Sequence, residues 1–175
     1  EHEVLRWFVD RLGQMAAERG KKIICWDDMV ERNEIPASAT IMSWKGKKTA
    51  ATAARSGREV ILTPDNIVYF DRPQSDFDDR IALGNVVTLE DVFGFDPLSE
   101  IPADAARNVI GGQGSVWTEF IKTPEDVEYM AFPRAIALAE VLWSSPTGTA
   151  DRLGRRSRDI GDFRSRLSFQ LSKLE

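Results

Sequence analysis

The sequence is poor in the side chains that most enzymes use for nucleophilic or metal chemistry. Its 175 residues contain one cysteine, Cys25, and one histidine, His2, next to the N-terminus. A single cysteine forms neither an internal disulfide nor a thiolate metal cluster, and it fits reducing and oxidising compartments equally well. Triads, dyads and metal sites built on histidine are close to excluded. Any catalysis must therefore use carboxylates, tyrosine or the backbone, and we expect no metal ion and no organic cofactor.

Long apolar runs and clusters of positive charge are also missing. No apolar run reaches the roughly 18–20 residues that a membrane helix requires, and no apolar targeting segment follows the charged first residues. The chain has 23 Lys and Arg against 28 Asp and Glu, so its net charge is −5. The basic residues form no stripe interleaved with aromatic side chains. We therefore expect neither a membrane nor a nucleic acid as a partner.

Apolar periodicity predicts a chain in which strands and helices alternate. Short apolar runs predict strands at residues 22–26, 40–44, 60–63 and 109–117, and the first two have the pattern of parallel strands that helices cover on both faces. Helical spacing and capping signals predict helices over residues 4–16, 47–56, 89–93, 124–143 and 159–174. A long irregular stretch follows the third strand, and such a loop inside a domain is usually functional. The alternation favours an α/β fold with a parallel sheet and right-handed crossovers.

Aromatic and acidic side chains stand where each predicted strand ends. They are Trp26 with Asp27 and Asp28, Trp44, Tyr69 with Asp71, and Trp117 with Glu119. Parallel α/β sheets bind their ligands at the carboxyl ends of the strands. In an extended chain residues i and i+2 point to the same side, so each aromatic residue of the last two pairs can share a site with its acid. Indole rings pack on the C–H face of a sugar and carboxylates accept its hydroxyls, which indicates a sugar site.

Each of these residues also has a purely structural interpretation. A tryptophan in a barrel protein is more often a core residue than a ligand contact, and we predict core packing for Trp7 and Trp143 on their helices. The two aspartates after the first strand fit the polar start of a loop. Asp71 and Glu119 fit structural ion pairs with arginines such as Arg134. The recurrence of tryptophan at three strand ends favours the ligand interpretation.

Eight short motifs occur in a fixed order over about residues 1–145. They are GK…WDD (20–28), MSWKG (42–46), G…VILTP (57–64), YFD (69–71), LEDVF…DP (89–97), GGQ…WTE (111–119), EYMAFPR (128–134) and AEVLWS (139–144). Together they resemble the second half of the catalytic barrel of glycoside hydrolase family 20, the β-N-acetylhexosaminidases. The resemblance implies the C-terminal half of a (β/α)8 TIM barrel, with strands five to eight and their helices over residues 1–150. Residues 151–175 would add a C-terminal helix that packs on the barrel.

The resemblance implies a substrate-assisted, retaining hydrolysis, which is an exception to the usual two-carboxylate scheme. The carbonyl oxygen of the substrate's 2-acetamido group attacks the anomeric carbon, while a glutamate acts first as general acid and then as base. An adjacent aspartate orients the acetamido nitrogen. In the family this Asp-Glu pair follows a His-x-Gly-Gly run, which the 175 residues do not contain. The resemblance therefore implies that the catalytic residues lie upstream, in an exo-acting parent that is secreted or periplasmic.

Residue by residue, the resemblance transfers the binding half of the sugar site. Three tryptophans match those that wall the acetamido pocket: Trp26, Trp44 and Trp117. Tyr69 matches the tyrosine whose hydroxyl bonds the acetamido oxygen and so orients the nucleophile. Asp71 and Glu119 match carboxylates that hold the distal hydroxyls of the −1 sugar. Many family members carry a further tryptophan in the loop after Tyr-x-Asp, and residues 76–85 contain none, so the leaving-group subsite is not predicted.

The expected partners are an N-acetylhexosaminide substrate and the missing N-terminal half of the barrel. We expect the chain alone to bind sugar weakly and not to hydrolyse it. Half a barrel exposes two strand edges and the strand faces that lined its interior, so we also expect self-association.

Two alternatives remain open at this point. A stand-alone, non-catalytic carbohydrate-binding or scaffold domain would have no catalytic half upstream. An ordinary carboxylate pair formed by Asp71 and Glu119 would place the carboxyl groups about 5–5.5 Å apart in a retaining enzyme and about 6.5–9.5 Å apart in an inverting one.

Overall fold

The computed structural model describes residues 2–30, 35–78, 84–144 and 158–172. Within these residues one sheet is formed by β1 (Ile24–Trp26), β2 (Thr40–Ser43), β3 (Val60–Leu62) and β4 (Val109–Gly112). The strands are parallel and lie side by side in chain order. The predicted α/β fold with a parallel sheet is therefore confirmed, and four strands in this order are consistent with half of a (β/α)8 barrel.

Seven α-helices accompany the sheet in the described part of the chain. They are α1 (His2–Ala17), α2 (Lys47–Arg55), α3 (Asp65–Val68), α4 (Leu89–Gly94), α5 (Pro124–Ala131), α6 (Arg134–Trp143) and α7 (Ile160–Leu171). Side-chain oxygens of Thr88, Thr123 and Asp159 cap the first turns of α4, α5 and α7. The sequence does not predict α3, because a helix of four residues is too short to show periodicity.

The chain divides into two compact units. We call Glu1–Tyr69 with Pro97–Ser115 the sheet unit, and Phe70–Asp96 with Val116–Glu175 the helical unit. The sheet unit contains the four strands and α1 to α3, whereas the helical unit contains α4 to α7. Each unit has its own buried apolar residues, and each carries part of the predicted site.

The core of the sheet unit lies around its two central strands. Ile41, Val60 and Leu62 are buried on β2 and β3, and α2 packs on both strands. The packing face of α2 is made of alanines, among them Ala50 and Ala53. Small side chains let the helix approach the sheet closely, because side chains in a core interdigitate at high density.

β1 differs from the predicted burial on both faces, and α1 differs from the predicted core packing of Trp7. Ile24 of β1 is 55% exposed, and Ile110 of β4 is exposed as well. Trp7 of α1, predicted to be in the core, is 66% exposed. The apolar stripe of α1 shares this exposure at Val4, Leu5, Trp7, Phe8, Leu12 and Met15. These predictions were wrong because the apolar pattern does not show whether another element covers an apolar face. Within the described residues, β1 and β4 also have a strand neighbour on one side only.

The predicted single helix over residues 124–143 is also wrong, since the structure has two helices with a break at Phe132–Pro133. Pro133 has no N–H to donate, and it disfavours helical backbone at the preceding residue. The Phe132–Pro133 peptide bond is cis. The break makes Arg134 the first residue of α6.

The core of the helical unit forms where α6 meets α4 and α7. Ala137, Leu138 and Val141 form the buried stripe of α6, and the rings of Phe93 and Phe163 lie 5.0 Å apart. Trp143 falls two residues after Val141, on the opposite side of the helix, and is 85% exposed. The prediction of core packing for Trp143 is therefore wrong.

No helix in the described ranges is long and apolar enough to cross a membrane. Nor do these ranges contain a group of three or more His, Cys, Asp or Glu side chains placed to hold a metal ion.

Candidate functional site

The first part of the site lies at the carboxyl ends of β1 and β2 in the sheet unit. Trp26 is the last residue of β1, and Trp44 follows Ser43, the last residue of β2. The pairing register places Trp26 opposite Met42, so the two tryptophans lie at the same edge of the sheet. Trp26 is 36% exposed and Trp44 is half-buried. The predicted placement of both indoles at neighbouring strand ends is thus found.

Asp27 is the buried member of the aspartate pair that follows Trp26. Its side chain is fully buried, and Oδ2 accepts hydrogen bonds from Ser43 Oγ at 2.7 Å and from the Lys45 backbone N–H at 3.4 Å. Burial raises the pKa of Asp27, although these hydrogen bonds oppose the rise. Asp27 therefore joins the end of β1 to the turn after β2, which the structural interpretation as a loop residue does not explain.

Asp28 is the exposed member of the pair, and it contacts the indole of Trp44. Trp44 Nε1 donates a hydrogen bond to Asp28 Oδ2 at 2.9 Å, and Lys45 Nζ lies 3.4 Å from Oδ1. Partial burial raises the pKa of Asp28, but the hydrogen bonds from Trp44 and Lys45 outweigh it, so the pKa lies below the ordinary value. An indole N–H fixed by a carboxylate has a defined ring orientation.

Tyr69 lies at the end of the sheet unit, directly after α3. It forms a parallel bridge with Ser115, whose backbone N–H donates to Val68 O at 2.9 Å. The hydroxyls of Ser115 and Thr63 are buried and lie 3.3 Å apart. These bonds fix the backbone at Tyr69, and its ring is half-buried.

A separate group of predicted site residues lies in the helical unit and starts at Asp71. The chain turns at Phe70 and Asp71, so the extended conformation assumed for Tyr69 and Asp71 is absent. The Asp71 carboxylate accepts hydrogen bonds from its own backbone N–H and from that of Trp117. Burial raises the pKa of Asp71, while the charges of nearby arginines lower it in part. Asp71 Oδ1 is buried without a hydrogen-bond partner in the described structure.

Trp117 and Glu119 lie beyond β4, which ends earlier than predicted, at Gly112. The segment that holds them is not part of a strand, so the alternation of strand side chains does not apply to it. Trp117 is 44% exposed, and Glu119 is exposed. Both side chains are accessible to a ligand.

Arg134, which the sequence analysis considered only as an ion-pair partner, makes a different set of contacts in the structure. It is completely buried and donates to four backbone carbonyls: Phe70 O (2.7 Å), Arg72 O (2.9 Å), Val87 O (3.0 Å) and Met130 O (2.5 Å). Burial lowers its pKa to about 10. The ion-pair interpretation assumed that Arg134 pairs with Asp71 or Glu119. The hydrogen bonds of its guanidinium instead go to backbone carbonyls. The signal in the sequence was an arginine at the start of the apolar stripe of α6.

The comparison with protein families agrees with these features. The model of "Glycosyl hydrolase family 20, catalytic domain" matches residues 1–146. The chain therefore belongs to glycosyl hydrolase family 20, as its motifs predicted.

Curated relatives and solved structures support the same assignment. A beta-hexosaminidase of Porphyromonas gingivalis is 34% identical over 178 residues, which are 100% of this chain and 22% of the relative. A beta-N-acetylhexosaminidase of Cellulomonas fimi is 25% identical over 96% of this chain and 33% of its own length. The exo beta-N-acetylglucosaminidase of Vibrio harveyi, solved in complex with N-acetylglucosamine, has a TM-score of 0.84 and 29% identity, over 98% of this chain and 26% of that one. The chain thus spans about a fifth to a third of these proteins.

Proposed function

We propose that the chain is the second half of the catalytic barrel of an exo-acting β-N-acetylhexosaminidase, which releases terminal N-acetylglucosamine or N-acetylgalactosamine. The observation that carries this proposal is the family match over residues 1–146 in a chain that spans 22% of one relative and 33% of another. Four parallel strands in chain order support it, because a complete barrel has eight. Residues 151–175 would add a C-terminal helix.

The sheet unit would bind the acetamido group of the substrate. Trp26 and Trp44 supply apolar ring faces at the ends of neighbouring strands, which suit the methyl group. The Tyr69 hydroxyl would donate to the acetamido oxygen and so hold the internal nucleophile in place. The hydrogen bond from Trp44 to Asp28 supports this assignment, because an indole wall needs a fixed plane.

The helical unit would bind sugar hydroxyls and add the third tryptophan. Asp71 carries a buried carboxylate oxygen with no partner in the described structure. The residue as a whole is half-buried, and it matches a carboxylate that holds a distal sugar hydroxyl in the family that the chain resembles. Glu119 and Trp117 are accessible and would take a second hydroxyl and a sugar face.

The general acid and the orienting aspartate would come from a segment upstream of residue 1. The 175 residues contain no His-x-Gly-Gly-Asp-Glu run. Glu119 and Asp71 would then hold the substrate, while the upstream glutamate protonates the leaving oxygen and later activates water. The chain alone would bind sugar without cleaving it.

The exposed apolar surface of the sheet unit would be covered by the other half of the barrel. Ile24 and Ile110 on the outer strands and the stripe of α1 are exposed, and uncovered strand edges favour pairing with another chain. Without that half, we expect the chain to self-associate. Light scattering would then give a mass above that of one chain, and a monomer at all concentrations would contradict this part of the proposal.

An activity assay tests the absence of the catalytic pair. The chain alone, incubated with a nitrophenyl N-acetylglucosaminide, should give no turnover above the buffer background. Turnover that survives purification and disappears in Glu119→Gln would overturn the proposal and favour an ordinary carboxylate pair. The upstream reading frame gives a second test. A His-x-Gly-Gly-Asp-Glu segment there is expected, and its absence would favour a stand-alone binding domain.

A further inference from the structure

Arg134 is the largest fully buried side chain in the described structure, and it carries a positive charge. A buried guanidinium is stable only when hydrogen bonds compensate for the lost hydration. Here the compensation comes from four backbone carbonyl oxygens. A residue that joins this many backbone segments determines how those segments lie.

Two of the four carbonyls belong to the residues on either side of Asp71. Nη2 donates to Phe70 O at 2.7 Å, and Nη1 donates to Arg72 O at 2.9 Å. The backbone is therefore held immediately before and after Asp71, which fixes the direction of its Cα–Cβ bond. The guanidinium carbon also lies 5.2 Å from the centre of the Phe70 ring.

The other two carbonyls connect this turn to the rest of the helical unit. Nη1 also donates to Val87 O, and Nη2 to Met130 O near the end of α5. Asp71 in turn accepts a hydrogen bond from the backbone N–H of Trp117. Hydrogen bonds thus link Arg134 to the backbone on both sides of Asp71, and the Asp71 carboxylate to the backbone of Trp117.

We propose that Arg134 is a positioning residue for the sugar site, which aims the Asp71 carboxylate by holding the carbonyls on both sides of it and, through Asp71, fixes the backbone of Trp117. The planar fork of the guanidinium is necessary, because it directs several N–H groups in one plane towards separate acceptors. A lysine carries the same charge but lacks the fork. The role of Asp71 as a sugar ligand rests on the proposed function, whereas the hydrogen-bond chain does not.

Arg158 supplies a matched control in the same unit. It is also a buried arginine, and it donates to two carbonyls, Phe93 O and Phe95 O, each at 3.1 Å. Its guanidinium lies 5.7 Å from the Phe93 ring centre, much as Arg134 lies over Phe70. None of these contacts involves the turn at Asp71, so Arg158→Lys reports the cost of changing a buried arginine without changing the site.

Amide hydrogen exchange by NMR on the full 175-residue chain tests the proposal without any sugar. In Arg134→Lys the Trp117 backbone N–H should exchange at least about tenfold faster, because its acceptor is no longer held. In Arg158→Lys it should keep its wild-type rate. An unchanged Trp117 rate in Arg134→Lys, or equal acceleration in both variants, would overturn the positioning role.

Asp71→Asn provides a measurement that does not depend on the folding of an Arg134 variant. The Arg134 guanidinium N–H signals should stay protected in it, because their acceptors are backbone carbonyls. Loss of this protection would show that the hydrogen bonds of Arg134 depend on the Asp71 carboxylate. That result would contradict the proposal that Arg134 positions Asp71.

Titration with N-acetylglucosamine separates this inference from the proposed function. If the sugar binds, Arg134→Lys should weaken binding about tenfold, and Arg134→Lys combined with Asp71→Asn should weaken it no more than Asp71→Asn alone. Additive losses would contradict action through Asp71. If the wild-type chain does not bind the sugar, the proposed function fails while the exchange measurements still decide the role of Arg134.

Discussion

The two units place their candidate ligand residues by different physical means. In the sheet unit, Trp26 and Trp44 stand at the ends of paired strands, and side-chain hydrogen bonds from Ser43 and Trp44 to the aspartate pair complete the placement. In the helical unit, Asp71 lies in a turn outside any strand, and one buried arginine holds the backbone on both sides of it.

Because of this difference, the loss of one side chain should cost a different amount of stability in each unit. The sheet unit divides the task among strand pairing and several separate side-chain bonds, each with a modest net contribution of about 0.5–1.5 kcal/mol. The helical unit concentrates the task in the four hydrogen bonds of Arg134. Loss of one side chain should therefore be mild in the first unit and severe in the second.

The largest effect should come from Arg134→Met. This change removes the donors of four carbonyls, and each buried acceptor left unpaired costs about 1–3 kcal/mol. We expect the free energy of unfolding, measured by urea denaturation, to fall by more than about 3 kcal/mol. Arg158→Met, which releases two carbonyls, should cost about half as much. Equal losses in the two variants would remove the special position of Arg134.

A smaller effect should follow from breaking the bond between Asp28 and Trp44 in the sheet unit. Asp28→Ala leaves the fold intact, since Asp28 is exposed, but it releases the indole N–H. We expect N-acetylglucosamine to bind about three- to tenfold more weakly, in line with the loss of one solvent-exposed hydrogen bond worth about 0.5–1.5 kcal/mol. Trp44→Phe, which keeps a ring but has no N–H, should abolish the further effect of Asp28→Ala. If Asp28→Ala weakens sugar binding as much in the Trp44→Phe background as in the wild type, Asp28 does not act through the Trp44 indole.

The smallest effect should appear in the dependence of stability on pH, where the exposed Asp28 of the sheet unit and the buried Asp71 carboxylate of the helical unit differ in sign. The folded-state pKa of Asp71 is raised by burial, so its contribution is fully present below the ordinary value of 3.8 and is lost as pH rises through the raised pKa. The lowered pKa of Asp28 gives a contribution that is present above 3.8 and is lost as pH falls through the lowered pKa.

Denaturation of the wild type and of each Asn variant between about pH 3 and pH 6 measures this contrast. The free energy of unfolding of the wild type minus that of Asp28→Asn should rise with pH. The same difference taken with Asp71→Asn should fall with pH. Because Asp28 is exposed, we expect its effect to stay below about 1 kcal/mol. Slopes of the same sign would contradict the assigned environments.

The sequence predicted the sheet unit well because its signals are local. Buried apolar runs and the residues that follow them are adjacent in the chain, so the ends of β1 and β2 and the positions of Trp26 and Trp44 could be read directly. The helical unit depends on contacts across long sequence separations. Arg134 meets Phe70, 64 positions earlier in the chain, and no pattern of period 2 or 3.6 contains that contact.

The errors have separate physical causes. Trp7 and Trp143 were assigned to the core from their residue type, although exposure depends on whether another element covers that face. The apolar period continues through Pro133, but proline has no backbone N–H and clashes with the preceding turn, so it ends the helix predicted over residues 124–143. The aspartate pair after β1 was undervalued, because a hydrogen bond to an indole on the next strand leaves no trace in spacing.

The fluorescence of the exposed tryptophans should report when the surfaces around them become covered. Trp7 and Trp143 lie largely in water, and Trp26 and Trp117 are partly exposed as well. Indole emission shifts to shorter wavelength when water is excluded from the ring, so each surface that becomes covered should leave a separate spectral mark. Single Trp→Phe variants would assign each spectral change to one tryptophan. They would then show in which order the surfaces of α1, α6 and the sugar site become covered.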